Sequence, residues 1–217
     1  MKTDLQLKKD IQAELEWDPS IKAAQVGVAV KDGVVVLTGH LDTYAERSAV
    51  QKAVQRVQGV HAIAMELDVK LDPGHKRGDA EIAAAAETAL RWHAMVPHDR
   101  IQATVDKGWV SLKGEVDWQY QRDAAEKAVR DLTGIVGLSN NIKLKQVTTP
   151  SDVGARIRTA LIRQAADEAK GIEVDVKGAT VTLRGKVHSW AERSAAYTAA
   201  WSVPGISTVL NELKVGL

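Results

Sequence analysis

VKDGVVVLTGHLDTYAER, residues 30–47, decides the organisation of this chain because its pattern occurs three times. VDKGWVSLKGEVDWQYQR follows at residues 105–122 and VKGATVTLRGKVHSWAER at residues 176–193, at offsets of 75 and 71 residues. Gly39, Gly114 and Gly185 share one column, Arg47, Arg122 and Arg193 a second, and Gly59, Gly134 and Gly205 a third. Columns held in register across a whole chain mark an internal repeat, and each repeat is one structural unit. The units divide as residues 1–72, 73–148 and 149–217.

Working outward from that stretch, each copy reads α-β-β-α-β. Leu7, Ile11 and Leu15 open the first copy at helical spacing, as do Ile82, Ala86 and Leu90 in the second and Val153, Ile157 and Leu161 in the third. Alternating apolar residues follow: Val26, Val28 and Val30, then Ile101, Ala103 and Val105, then Ile172, Val174 and Val176. Asp32-Gly33, Lys107-Gly108 and Lys177-Gly178 supply the turns. The next strand buries Val35 and Leu37, Val110 and Leu112, or Val181 and Leu183. It ends at the recurring Gly39/114/185, where a bulge or a close backbone approach is expected. Thr43-x-x-Glu46 and Ser189-x-x-Glu192 read as capping boxes for a second helix, with Asp117 as the expected cap in the middle copy. Gly59, Gly134 and Gly205 are expected at the left-handed end of that helix. A crossover through it runs the third strand parallel to the second. The expected fold is therefore α+β, three tandem αββαβ modules, each a three-stranded mixed sheet with two helices on one face. At roughly 65 residues a module is near the lower limit for an independent core, so packing between modules is expected.

The combination of VVVLTG, AERSA, VQGV and LDV in the first copy, VSLKG, LTGIVG and NNIKL in the second, and VTLRG, AERSA, VPGI and LNELKV in the third resembles the BON domain. That family is known from bacterial osmotically inducible periplasmic proteins and outer-membrane lipoproteins. The resemblance implies a non-enzymatic binding protein that contacts phospholipid surfaces in envelope or osmotic stress. A bacterial potassium-binding protein also carries such a domain, so a monovalent-cation or small-ligand sensor is an alternative, and an interaction scaffold for another protein a third. Met65 stands where the other copies have Asn140 and Asn211.

Residue content limits the chemistry. The absence of Cys excludes disulfides, thiolate metal sites and a cysteine nucleophile. No nucleophile elbow, phosphate loop or zinc-protease motif occurs, and no cofactor or metal site is expected. His93 and His98, either side of a Pro, read as surface histidines. A net charge of +1 argues against nucleic acid as a partner. The charged, amphipathic start, MKTDLQLKKDIQAELEW, lacks the apolar run of a signal peptide, and no stretch is long enough to span a membrane. A cytoplasmic location, peripheral to a membrane, is the expectation.

The candidate contact residues are the aromatic and basic groups. We expect Trp109 and Trp201 in the core. Trp17 and Trp92 end the first helix of copies one and two, and Trp118 and Trp190 begin the second helix of copies two and three. For these four, packing within or between modules is the first expectation and a membrane interface the second. Trp17, Arg91, Trp92, Arg156, Arg158 and Arg163 form the candidate contact set for an anionic phospholipid surface. Net charge rises along the chain, −2, +1 and +2 for the three copies. The Arg47/122/193 column is expected to be structural, each pairing with a nearby acid, and Asn140 and Asn211 to satisfy local backbone groups.

Overall fold

A computed structural model of the chain describes residues 2–145, 157, 159, 171–203 and 205–216. The first module comprises α1 (Asp4–Trp17), β1 (Val26–Lys31), β2 (Val34–Leu41), α2 (Tyr44–Arg56) and β3 (Ala62–Val69). The second repeats it with α3 (Asp79–Trp92), β4 (Ile101–Asp106), β5 (Trp109–Val116), α4 (Gln119–Arg130) and β6 (Gly137–Leu144). The third has β7 (Ile172–Lys177), β8 (Thr180–Val187), α5 (Trp190–Trp201) and β9 (Thr208–Val215), with Ile157 and Thr159 helical ahead of them. Val153, Leu161, Arg156, Arg158 and Arg163 lie outside the described residues.

Each sheet has its second strand in the centre. β1 pairs antiparallel with β2, and β3 runs parallel to β2 on its other side. The register is the same in every copy: Val28–Leu37–Met65, Ala103–Leu112–Asn140 and Val174–Leu183–Asn211 lie across from one another. A two-residue turn forces the antiparallel pairing, whereas the helical crossover permits the parallel one. Both turn residues have positive φ at Asp32-Gly33 and at Lys107-Gly108. Lysine is a poor choice there, and the first helix stabilises it. The Asp79 carboxylate accepts from the backbone N–H of Lys107 at 2.8 Å and of Gly108 at 2.9 Å. Asp4 holds Asp32 and Gly33 in the same way. In the third copy the turn falls one residue later than expected, since Lys177 still belongs to β7.

Gly39, Gly114 and Gly185 make the close approach that the sequence suggests. Their φ values are +131°, +147° and +129°, and a β-carbon would collide with the backbone carbonyls of Gln25, Arg100 and Gly171 respectively. Gly59 and its equivalents have positive φ but lie beyond the helix cap; that cap is Val57 in the first module.

The helix starts depart from the simple capping box. Thr43 Oγ1 accepts from the Glu46 N–H at 3.1 Å, but the Glu46 carboxylate reaches past the cap to the N–H groups of Asp42 and Lys22. Ser189 and Glu192 behave alike, the carboxylate taking the N–H of His188 at 2.9 Å. In the middle copy Asp117 is not the cap. Trp118 occupies that position and has no side-chain acceptor, so Gln121 Oε1 accepts from the N–H of both Asp117 and Trp118. The freed Asp117 carboxylate binds Arg100 at 2.8 Å.

Three cores result. The α1 stripe meets Val35 and Leu37 in the first, and the α3 stripe meets Val110 and Leu112 in the second. Ile157 and α5 cover Val181 and Leu183 in the third. Full burial of a Leu or Ile side chain contributes about 2 kcal/mol.

The modules also close on one another. Tyr44, at the start of α2, packs against the second core, and Arg130 and Asp131 at the end of α4 share a cleft with Thr43 and Ala45. Trp118 and Gln119, at the start of α4, face Tyr197 and Trp201 at the end of α5. Trp190, at the start of α5, packs on the first core, and its indole N–H donates to the Val60 carbonyl beyond α2 at 2.9 Å. Each junction sets the start of one second helix against the end of the next. Three such head-to-tail junctions join the three modules pairwise and so close a ring.

Candidate functional site

Trp17 and Trp92 are 84% and 81% exposed, so neither seals a core or a junction. The helical stripe explains why. Trp17 lies two residues past Leu15, about 200° around the helix from the buried line. Trp92 stands in the same relation to Leu90, and beside it Arg91 is exposed, with Glu87 3.8 Å away. Trp17 and Trp92 thus occupy equivalent, exposed ends of the first helix in two modules. Of the six candidate contact residues, the structure places Trp17, Arg91 and Trp92.

Of the other tryptophans, Trp190 and Trp201 pack as expected and Trp109 does not. Trp190 is a junction residue, and the Arg193 guanidinium lies 5.2 Å from its ring centroid. Trp201 is half-buried against the third core and meets Tyr197 edge-to-face at 6.0 Å. Trp109 is not a core residue. It is 49% exposed on the open face of the sheet, where its indole lies over Gly137 and donates to Ser139 Oγ at 2.9 Å. A side chain at Gly137 would occupy the space the ring takes.

The arginine column is structural, though its partners are carbonyls rather than acids. Arg47 Nε donates to Leu67 O, Arg122 Nη2 to Asn140 O, and Arg193 to both Leu213 O and Asn211 O at 3.2 and 3.1 Å. Each ties the second helix to the third strand. Asn140 Oδ1 and Asn211 Oδ1 accept from the N–H groups two residues on, and Asn140 Nδ2 also donates to Arg122 O and Glu126. Replacing Arg193 by Met, which keeps an apolar stem, should cost about 1–2 kcal/mol in urea unfolding. Vesicle binding should be unchanged; a matching loss of binding would reassign the column to anion contact.

Two features escaped the sequence reading. Asp42 and Glu46 are buried carboxylates that hold the loop before β1, and Asp42 forms an ion pair with Lys22. His61 and His188, from different modules, line one cavity of about 470 Å³ with Asp4 and Gln58 at the first–third junction. His93 is half-buried and its Nδ1 accepts from the Met95 N–H. Among the described residues no cluster of His, Asp and Glu has metal-binding geometry, and no helix is long and apolar enough to cross a membrane.

Comparison with known proteins agrees with the repeat. The BON domain family model matches residues 3–70, 78–146 and 151–216. The chain is similar to "Osmotically-inducible protein Y" of Escherichia coli (strain K12), 27% identical over 146 residues that cover 65% of this chain and 73% of that protein. Two solved structures of CdsD, a structural protein of the type III secretion system of Chlamydia trachomatis, also align. One covers 100% of both chains at 13% identity and a TM-score of 0.27. The other covers 96% of this chain and 91% of its own at 12% identity and a TM-score of 0.25. Neither score is high enough to argue from. With its three copies matched over most of its length, the chain belongs to the BON domain family.

Proposed function

We propose that this chain acts by binding rather than catalysis, and that its target is an anionic phospholipid surface met during osmotic or envelope stress. One observation carries the reading: two bare indoles, Trp17 and Trp92, stand exposed at equivalent helix ends of two modules that pack on one another. An indole is at home at the headgroup level of a bilayer, and two on one rigid body add avidity because both engage at once. Arg91 precedes Trp92 on α3, and a basic group near an anionic surface contributes about 1 kcal/mol. Arg156, Arg158 and Arg163 belong to the same proposed contact set. The name of the Escherichia coli relative supports the osmotic setting. The reading includes the cytoplasmic location expected from the sequence, checked by cell fractionation.

Co-sedimentation with phosphatidylglycerol vesicles tests it. Trp17→Ala together with Trp92→Ala should weaken binding by tenfold or more, roughly what lost burial of two large rings implies. Unfolding free energy should change by less than about 0.5 kcal/mol, since exposed rings contribute little to folding. Unchanged binding in the double variant would rule out the indoles as the contact. Stabilisation by potassium with no vesicle binding would favour cation sensing instead.

A further inference from the structure

The junction between the second and third modules holds a cavity of about 590 Å³ that the lipid reading does not use. Four aromatic side chains line it: Trp118 at the cap of α4 and Tyr120 within it, and Tyr197 and Trp201 from α5. Gln119, Asp123, Thr198 and Ser202 line the rest of it. Two buried polar atoms in this wall have no hydrogen-bond partner among the described residues, the Gln119 side-chain carbonyl Oε1 and the Trp201 indole Nε1. An orphaned buried donor or acceptor costs about 1–3 kcal/mol, so a pair of them, of opposite kind, at one cavity requires an explanation.

We propose that this cleft binds a small organic zwitterion, an ammonium bearing N–H groups joined to a carboxylate, with an amino acid as the simplest case. The ammonium end fits the aromatic faces, which attract cations, and gives Gln119 Oε1 the donor it lacks. Asp123 supplies the counter-charge. Its carboxyl is raised above the ordinary value, first by loss of hydration and further by the Glu126 carboxylate, while a 2.8 Å hydrogen bond from Gln119 Nε2 opposes the shift. A cation in the cleft would relieve that cost. The carboxylate end gives the Trp201 N–H its acceptor. Among the described residues no Lys or Arg lines the cavity, which suits a singly charged carboxylate better than a phosphate. Both atoms are buried, so contact with a ligand requires the Gln119 and Trp201 side chains to rotate. The assignment stands independently of Trp17 and Trp92.

The test is tryptophan-fluorescence and calorimetric titration of the full chain with glycine, β-alanine and 4-aminobutyrate, which vary the distance between the charges. Methylammonium, tetramethylammonium and acetate serve as half-ligands. At least one zwitterion should saturate the protein, and each half-ligand should bind about tenfold more weakly, the worth of one lost hydrogen bond. Trp201→Phe, which keeps the ring and removes the N–H, and Gln119→Met should each reduce affinity by a similar factor with unchanged melting temperature. Phosphatidylserine carries the same amino-carboxylate, so saturation by its vesicles but by no free zwitterion assigns the source to lipid and still supports the site. No saturation by either source, tetramethylammonium binding as tightly as the best zwitterion, or full affinity in Trp201→Phe would overturn the proposal.

Discussion

Replacing Gly39 by Val is expected to destabilise the first module by about 4 kcal/mol, enough to remove most of a small domain's margin. Two independent costs add. The backbone at Gly39 has φ +131°, a region that a β-branched residue enters only under strain. The new β-carbon also meets the Gln25 carbonyl at the start of β1. That contact is with main chain, so no rotamer change relieves it. Gly74→Ala is the control, because a β-carbon there meets nothing within 4 Å and the backbone is ordinary. Urea unfolding should place Gly74→Ala within about 0.5 kcal/mol of the parent chain. Equal midpoints for the two variants would contradict the close approach and the register built on it.

The second large effect belongs to the ring. Trp190→Ala removes an indole packed on the first core and its hydrogen bond to Val60. The loss should be about 3 kcal/mol, the usual range for a well-packed Trp. It should fall on the junction rather than on the third core, since Val181, Leu183 and Ala199 keep their contacts. The chain has no Cys, so labels at Lys9→Cys and Lys214→Cys report cleanly on the distance between first and third modules. Dipolar spectroscopy should show one narrow distance in the parent and a broad distribution in Trp190→Ala. A narrow distribution in both would mean that the ring is not held by this residue.

The modules were legible in the sequence because their determinants are local. Glycines needed for positive φ, a two-residue turn and apolar residues at period two or 3.6 recur at fixed offsets, and chance does not produce three such columns. Packing between modules was expected, with Trp118 and Trp190 among its candidate residues, but which modules meet and how was not legible, because that depends on what stands at the first turn of the second helix. There the column reads Tyr44, Gln119 and Trp190, three different chemistries doing the same job, so no repeat reveals it. The Asp4 and Asp79 pair was readable, being offset by 75 residues like the rest of the copy. Trp109 was readable too. Val110 and Leu112 point into the core, so strand alternation puts Trp109 and Ser111 outside. Hydrophobic character outweighed parity in assigning it to the core. The same parity on a helix would have placed Trp17 away from the Leu7–Ile11–Leu15 stripe.

Depth-dependent quenching of tryptophan emission by lipids brominated along the acyl chain tests the central claim most directly. Vesicles of phosphatidylglycerol should shift part of the parent's emission to the blue and quench it. Trp17→Ala and Trp92→Ala, each made alone, should retain about half of that quenched component, and at the same depth, because the proposed contact engages both indoles at once. The double variant should lose it. Emission unmoved by vesicles, quenching that survives in the double variant, or two indoles quenched at different depths would contradict the account.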